Sequence, residues 1–350
     1  MSQTRISIDV MGGDRDVETV LTGVTLALEH RPETEFLLFG DAKLIEPLLD
    51  KFPTLKAASK VHHCDVSIDM DMKPSQALRQ GRKTSSMWQA IDAVNTGIAD
   101  GVVSAGNTGA LMAMSKVILK TLNGIERPAI AAIWPTMKGE TIVLDMGATI
   151  GGSAEQYFQF AVMGDAYARI IFGLESPRIC LLNIGVEEMK GTDSVKQASD
   201  LLTSSSLNFC GYVEGNGISQ GDVDVVVTDG FTGNVALKTA EGIAQLISGY
   251  LKQVMVSSIF ARIGYIFARG AFGALKERLD PDNVNGGTFL GLNGIVVKSH
   301  GGASPKGIAA AVELAIEVAA NKMSEKIADE MDKMEEELKQ KQMEQIDPHS

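Results

Sequence analysis

The sequence lacks long apolar stretches and is poor in cysteine. No run of about 18 apolar residues occurs, so we expect no transmembrane helix. The chain enters Arg5-Ile-Ser-Ile directly, without the apolar core of a signal peptide. The three cysteines (Cys64, Cys180 and Cys210) have no CxxC or metal-like spacing, which favours a reduced, cytoplasmic protein. Cys180 and Cys210 lie in apolar runs, and we expect both to be core residues.

Several catalytic and nucleotide-binding motifs are missing as well. There is no GxGxxG after a strand and no GxxxxGK[ST], which disfavours dinucleotide-dependent dehydrogenases and P-loop NTPases. HExxH does not occur, and we expect no metal and no cofactor. The formal net charge of −12 argues against general nucleic-acid binding.

What the sequence does contain is an alternation of short apolar runs with amphipathic helical patterns. A strand at 6–10 is followed by a helix at 17–30, and the alternation continues along the chain. This predicts an α/β fold with a mostly parallel sheet sandwiched by helices. We place one domain at 1–325, with a projecting helical segment at about 240–282.

The C-terminal part is charged. Residues 321–350 carry nine acids and five lysines, a net charge of −4, and few apolar residues. We expect one long helix at about 305–328 and, in the charged tail at 326–350, a solvated helical extension that frays toward disorder.

Four glycine-rich loops follow predicted strands, at 11–14, 104–109, 183–191 and 228–234. Because open α/β sheets bind ligands at strand ends, we predict that these loops line one crevice that holds phosphate or another anion. The candidate binding residues are Gly12, Gly13, Asp14, Gly106, Asn107, Thr108, Gly109, Asn183, Gly185, Glu187, Gly230, Gly233 and, in a later turn, His300. A structural loop histidine is an equal alternative for His300.

Three polar residues in these loops could take part in chemistry. Asp229 and Asn234 follow a buried strand and offer a base and an amide donor, although an ordinary strand-to-helix loop with an N-cap Asn is an alternative. Lys190 stands beside Glu187 and Glu188 and is either a solvated ion-pair lysine or a cation placed beside a developing oxyanion.

Seven motifs in order carry a family resemblance. They are Ile-Asp-Val-Met-Gly-Gly-Asp, Lys-Pro-Ser-Gln-Ala-Leu-Arg, Ser-Ala-Gly-Asn-Thr-Gly-Ala, Leu-Asn-Ile-Gly-Val-Glu-Glu-Met-Lys-Gly, Tyr-Val-Glu-Gly-Asn, Val-Val-Thr-Asp-Gly-Phe-Thr-Gly-Asn-Val and Ser-His-Gly. From about residue 5 to 320 the chain resembles the bacterial acyl-ACP:phosphate acyltransferases of phospholipid synthesis (the PlsX family). The resemblance implies a fold like isopropylmalate dehydrogenase and phosphotransacetylase. It also implies that acyl-ACP and phosphate react to give acyl phosphate and free acyl carrier protein (ACP).

Two positions depart from the family pattern. Thr149 stands where the family usually has Asn, and Arg15-Asp16 stand where it usually has Ala-Pro. The change at 149 removes an amide from that loop, but the threonine hydroxyl can still form hydrogen bonds.

The implied chemistry needs no nucleophilic side chain, because phosphate is itself the nucleophile. The protein must position phosphate and stabilise a tetrahedral oxyanion, for which one preorganised donor contributes about 3 kcal/mol. We expect Lys190 and Asn234 to supply that stabilisation, and Asp229 to accept a phosphate proton or to orient Lys190.

The stretch 251–279 is apolar and basic within an acidic chain, with five basic residues against one glutamate, a net charge of +4. This pattern predicts contact with a membrane surface or with acidic ACP through Phe260, Phe267, Arg262, Arg269 and Lys276. A dimer seam is a nearly equal alternative, and the resemblance implies both: a homodimer associated peripherally with the inner face of the cell membrane. The functional rivals are a phosphotransacetylase-like enzyme that uses short acyl-CoA and a non-catalytic scaffold that binds ACP or membrane.

Overall fold

The computed structural model describes residues 3–279, 282 and 285–346 and forms one large sheet flanked by helices. Within this part of the chain the strands are β1 Arg5–Asp9, β2 Glu35–Gly40, β3 Ser59–His63, β4 Gly101–Ser104, β5 Ala129–Thr136, β6 Gly139–Leu144, β7 Ile179–Leu182, β8 Phe209–Val213, β9 Val225–Val227, β10 Gly287–Leu290 and β11 Ile295–Lys298. The helices are α1 Val17–His30, α2 Ala42–Leu49, α3 Pro53–Ala57, α4 Pro74–Gln80, α5 Ser86–Asn95, α6 Thr108–Ile118, α7 Ala154–Phe172, α8 Asp193–Thr203, α9 Gly215–Ile218, α10 Gly230–Val256, α11 Ile259–Leu279, α12 Pro305–Ala320 and α13 Met323–Ile346.

The strand order is β3-β2-β1-β4-β11-β10-β5-β6-β9-β7-β8. Neighbours pair in parallel except around β10 and β5, where β11–β10, β10–β5 and β5–β6 are antiparallel. The predicted mostly parallel sheet is therefore confirmed. Three antiparallel steps also mean that the β6, β9, β7 and β8 half runs opposite to the β1, β2, β3, β4 and β11 half.

The length of β5 brings the two halves together. Its first residues, Ala129 to Ala131, pair with β10, whereas Ala132 to Thr136 pair with β6. The halves are thus staggered along β5. Strands β11 and β6 run in opposite directions, and the carboxyl ends of both lie level with the middle of β5. Ligand sites form at such strand ends, so this geometry assembles one crevice from both halves.

Burial on both faces explains why the strands are continuous apolar runs. All three valines of β9 are buried, and the central helix α7 buries most of its length between the sheet and α13. Helix α7 begins at a capping box in which Ser153 accepts from the backbone N–H of Gln156, whose side chain accepts from the backbone of Ser153. The central helix is therefore fixed both by its cap and by the core.

Helices α10 and α11 form an arm that leaves this core. Of the residues of α10, only Gly230 and Gly233 are buried. With 27 residues, α10 is about 40 Å long at 1.5 Å per residue. No single helix among the described residues is long and apolar enough to cross a membrane, but α10 and the Ile259–Gly273 part of α11 pass that test together as a pair bent by 118°. The arm begins ten residues before the predicted start of the projecting segment, whose predicted end includes positions outside the described residues.

The C-terminal region differs from the prediction. The expected single helix at 305–328 is two helices, because α12 ends at Ala320 and Lys322 has a left-handed φ of 53°. The expected solvated tail is wrong for its first half, since Ile327, Met331 and Met334 of α13 are buried in the main core. Their spacing of four and three residues gives α13 one narrow apolar face, which packs on α7. The domain boundary at 325 and 326 stays a prediction.

Candidate active site

A cavity of about 980 Å³ lies where the two halves of the sheet meet. One wall is the apolar middle of β5, and the opposite wall is one face of α10. Its floor comes from the loop after β6, and its remaining side from β11 and the turn that follows it. The lining includes Thr108, Ile130, Ala132, Ile133, Trp134, Pro135, Met146, Gly147, Asn234, Leu237, Lys238, Ala240, Glu241, Ala244, Asp282, Gly287, Lys298, Ser299, His300 and Gly302.

Two of the predicted loops and the turn after β11 pack on one another behind one end of this cavity. The N–H of Asp14 donates to the carbonyl of Gly301 at 3.0 Å. A Cβ at Gly12 would come within 2.9 Å of the Gly106 nitrogen, and Gly13, at a φ of +94°, approaches Ala105 equally closely. The loops after β1, β4 and β11 therefore form one unit, and a crevice lined by 11–14 stays a prediction.

Asp9 holds this unit together. Its carboxylate accepts from the hydroxyls of Ser86 at 2.6 Å and Ser104 at 2.7 Å, at the start of α5 and the end of β4. Burial raises the pKa of Asp9, while the two hydroxyl donors act in the opposite direction. The sequence prediction did not single out Asp9.

Asn107 has structural partners for its whole amide. Its Oδ1 caps α6 by accepting from the Ala110 N–H at 3.0 Å, and its Nδ2 donates to the carbonyls of Met70 and Met72. Thr108, the first residue of α6, is the member of this loop that lines the cavity. Gly109 packs against Pro74 of α4.

Lys298, the last residue of β11, is a site residue that the sequence prediction missed. Its ammonium donates to the carbonyl of Ala105 at 3.1 Å and to that of Ser299. Burial lowers the pKa of Lys298 to about 8, although Asp9 and Asp14 favour its charged form. The signal in the sequence was a lysine that ends an apolar strand directly before Ser299 and His300.

Asp145 organises the opposite end of the crevice. It accepts from the N–H groups of Ile130 at 3.0 Å and Ala148 at 3.0 Å and from the Thr149 hydroxyl at 2.8 Å. Burial raises its pKa against the effect of these donors. The same threonine hydroxyl accepts from the N–H of Gly230 at 3.1 Å. Thr149, the departure from the family pattern, thus joins the loop after β6 to the start of α10.

Gly230 and Gly233 allow α10 to begin against this loop. A Cβ at Gly233 would lie 2.0 Å from the Asp145 carbonyl oxygen, and one at Gly230 would lie 2.5 Å from the Asp145 carboxylate. Asp229 is the N-cap and accepts from the N–H groups of Phe231 and Thr232 at 3.0 and 3.1 Å. The hydroxyl of Tyr157 donates to the other carboxylate oxygen at 3.4 Å. The N-cap of α10 is therefore Asp229 and not the asparagine of the alternative, because the helix already begins at Gly230. The helix turns Asn234 toward Gly147 at the cavity.

The loop after β7 folds on itself. The amide of Asn183 donates to the Lys190 carbonyl at 3.0 Å, and the Lys190 ammonium pairs with Glu187 at 2.9 Å. Gly185 is buried beneath this pair. Because β7 and β9 are parallel neighbours, the loop lies at the same edge as Asp229. Lys190, however, is exposed and does not belong to the described cavity lining.

The cysteines divide into two environments. Cys180 is buried in β7, and burial raises the pKa of its thiol to about 12. Cys64 is also buried, which raises its pKa to about 11. Cys210 is exposed, so its prediction as a core residue is wrong: β8 is the edge strand of the sheet, and an edge strand is covered on fewer sides.

The residues predicted to contact a membrane or ACP lie on the arm. Phe260 and Phe267 are 83% and 88% exposed, which is rare for side chains of this size. Arg262 and Arg269 are also exposed on α11. Lys276 belongs to α11, but its side chain lies outside the described residues.

Solved structures of known proteins share this architecture. A phosphotransacetylase from Streptococcus pyogenes superposes with a TM-score of 0.59 at 19% identity, covering 91% of this chain and 94% of the other. A 4-hydroxythreonine-4-phosphate dehydrogenase from Burkholderia phymatum gives a TM-score of 0.50 at 15% identity, covering 91% and 99%. At such identities the likeness concerns the fold alone, and it confirms the predicted phosphotransacetylase- and dehydrogenase-like class.

Sequence similarity carries the assignment further. A phosphate acyltransferase from Rhizobium etli is 55% identical over 332 residues, which cover 94% of this chain and 95% of the relative. The family model described as "Fatty acid synthesis protein" matches residues 4–326. This match spans both halves of the sheet, the cavity and the arm, and so the chain belongs to the fatty acid synthesis protein family.

Proposed function

We propose that this protein transfers a fatty acyl group from acyl-ACP to inorganic phosphate, giving acyl phosphate for membrane phospholipid synthesis. Its relatives are named phosphate acyltransferases, which supports acyl transfer to phosphate as the reaction. The acyl-ACP donor and the place in phospholipid synthesis follow from the motif resemblance and are the finer part of the proposal.

The division of the cavity into a polar end and an apolar wall carries this proposal. At the polar end, Thr108, Lys298 and His300 offer a hydroxyl, an ammonium and an imidazole. Along the wall, Ile130, Ile133 and Trp134 of β5 face Leu237, Ala240 and Ala244 of α10. A substrate that joins an anion to a hydrocarbon chain matches this division. Acyl phosphate is such a molecule.

The residues support direct attack by phosphate on the thioester. A thiol with a pKa raised to about 12, as in Cys180, stays neutral near pH 7 and is a poor nucleophile. Asn234 lines the cavity and can donate its amide to the tetrahedral oxyanion. Asp229, held by its N-cap hydrogen bond from Phe231 and by the hydroxyl of Tyr157, can take up a phosphate proton. A role for Lys190 beside the oxyanion stays a prediction, since its ammonium pairs with Glu187.

The alternatives use other features of the same chain. A phosphotransacetylase-like enzyme acting on short acyl-CoA would need neither a long apolar wall nor an apolar arm. A non-catalytic scaffold would need no cavity that joins cationic and apolar groups. The lining of the cavity and the exposed arm therefore favour transfer of a long acyl chain.

Turnover assays distinguish these functions. With acyl-ACP as donor, we expect acyl phosphate to form only when phosphate is added, and Cys180→Ala and Cys210→Ala to leave the turnover number nearly unchanged. Acetyl-CoA should be a much poorer donor. Formation of an acyl-enzyme on a cysteine would contradict direct attack. Preference for acetyl-CoA would establish the short-chain alternative. If neither donor gave phosphate-dependent turnover, the non-catalytic scaffold would be the remaining alternative.

The arm supports further proposals about partners and location. We place the protein in the cytoplasm as a homodimer, attached peripherally to the inner face of the cell membrane. Exposed Phe260 and Phe267 suit an apolar surface, while Arg262 and Arg269 suit anionic lipid or acidic ACP. The same apolar side chains would also suit a second copy of the arm.

A further inference from the structure

We infer that Lys298 is the phosphate-binding cation of this site and that Thr108 and His300 complete the anion subsite beside it. This inference rests on the proposed function, in which phosphate is the acyl acceptor. It differs from the expectation drawn from the sequence, in which glycine-rich loops hold phosphate and Lys298 was overlooked.

The position of the ammonium carries the first step. Lys298 ends β11, where the carboxyl ends of β1, β4 and β11 converge, and it lines the cavity. An ammonium has three donors. The two described hydrogen bonds of Lys298 both go to carbonyl oxygens, of Ala105 and Ser299. A third donor is left for a ligand in the cavity that the side chain lines.

The charges around Lys298 favour the binding of an anion. The buried carboxylate of Asp9 already accepts from the hydroxyls of Ser86 and Ser104. Asp9 and Asp14 act on Lys298 through space, while Lys238, paired with Glu241 at 2.8 Å, repels it. A buried cation that hydrogen-bonds only to neutral carbonyls is stabilised when an anion enters its site.

The groups around Lys298 favour a compact oxyanion as the ligand. Thr108 stands at the start of α6, where its hydroxyl and the positive end of the helix are near the same cavity end. His300 follows Lys298 by two residues and lines the cavity. From here Ile130 and Leu237 lead away along the apolar wall. A phosphate at Lys298 would therefore have the acyl chain on one side and the helix start on the other.

The test is to replace the cation and measure phosphate directly. In Lys298→Met we expect KM for phosphate to rise about tenfold or more, because a charged hydrogen bond is lost, while KM for acyl-ACP changes less than twofold. Phosphate alone should raise the melting temperature of the wild type and should raise that of the variant much less. The control is Lys116→Met, which removes an exposed lysine of α6 and should behave like the wild type in both measurements.

The melting experiment contains no acyl donor, so it separates this inference from the proposed function. Failure of turnover with acyl-ACP would count against the donor, but a phosphate-induced shift that depends on Lys298 would still support the subsite. If Lys298→Met showed the same phosphate-induced shift in melting temperature and the same KM for phosphate as the wild type, the inference would be overturned. The variant should fold, since it replaces a buried cation by an apolar side chain of similar length.

A pH profile distinguishes direct binding from a structural role. The wild-type lysine, with its pKa lowered to about 8 by burial, loses its proton as the pH rises further, and phosphate binding should weaken from pH 7 to pH 9. Arginine stays charged in this range, so Lys298→Arg should flatten the profile. Asp9, Asp14, Lys238, Glu241, Asp282 and His300 are present in both proteins and cancel in the comparison. An unchanged slope in Lys298→Arg would refute Lys298 as the phosphate cation, even if Lys298→Met failed to fold.

Discussion

At the residue scale, the site depends on polar groups that serve structure and chemistry together. Asp229 is the clearest case, because its carboxylate caps α10 and is also the proposed proton acceptor. Asp145 and Asp9 fix the loops at the two ends of the cavity through several donors each. Thr149 belongs to the same network, because its hydroxyl donates to Asp145 and accepts from the N–H of Gly230.

Two substitutions separate the roles of Asp229. Asparagine caps a helix about as well as aspartate, whereas alanine loses the cap at a cost of about 1 kcal/mol. We expect Asp229→Asn to keep the melting temperature of the wild type and to lose on the order of 100-fold in turnover number. Asp229→Ala should lose activity to a similar extent and stability in addition.

The measurements are kcat with acyl-ACP and thermal unfolding of each variant. If Asp229→Asn keeps nearly full kcat, Asp229 is only a cap. Lys190→Ala and Asn234→Ala, measured beside it, should each reduce kcat on the order of 100-fold if they act on the transition state.

At the element scale, α10 and α13 show that the average composition of a helix does not predict its burial. Helix α13 carries an apolar face of Ile327, Met331 and Met334 and packs on α7. Helix α10 is more apolar but has no buried residue after Gly233. Composition alone predicted the reverse for α13, because a narrow apolar face contributes little to an average over the segment.

The packing of α13 predicts a measurable contribution to stability. Met331 is 3% exposed, and Met331→Ala should lower the free energy of unfolding by about 2–5 kcal/mol through lost burial and a remaining cavity. Its exposed neighbour gives the matched control, Asp332→Ala, which should change stability by less than about 0.5 kcal/mol. Urea unfolding of both variants tests this, and equal midpoints would mean that α13 is solvated as composition suggests.

At the scale of the whole molecule, charge and apolar surface are unevenly distributed. The chain carries −12 overall, while residues 251–279 carry +4. The large exposed apolar side chains of α11 include Ile259, Phe260, Ile263, Ile266 and Phe267. A surface of this kind indicates an interaction site for a membrane or for another protein chain.

Charge reversal on the arm tests the membrane proposal. Arg262→Glu with Arg269→Glu should release the protein from anionic vesicles, because each basic residue near an anionic surface contributes about 1 kcal/mol. Activity on soluble acyl-ACP should fall less. Vesicle sedimentation at low and high salt measures the effect, and Lys60→Glu with Lys116→Glu, two exposed lysines outside the arm, is the control.

A dimer seam predicts a different result from the same arm. Polar replacements of Ile259, Ile263 and Phe267 would then dissociate or unfold the protein, which light scattering detects. A wild-type protein that does not sediment with anionic vesicles at low salt would contradict the membrane proposal and favour the seam.

The sequence by itself determined the elements and the chemistry that they can carry. Apolar runs such as Val225–Val227 predicted the buried strands, and two residues of the predicted strand-end loops, Thr108 and Asn234, line the cavity. Helix and strand patterns are local properties of periodicity and capping, which is why most element positions were predictable. Ordered motifs also identified the family.

Only the tertiary structure decided which loops meet. Three antiparallel steps around β10 and β5 reverse half of the sheet, and the stagger along β5 brings the opposed strand ends to one cavity. Such pairing depends on contacts between distant segments, which no local pattern records. The same reason explains why Lys298 was missed and Lys190 was favoured. A lysine becomes a site residue through burial beside distant Ala105, Asp9 and Asp14, whereas Lys190 found its partner three residues away.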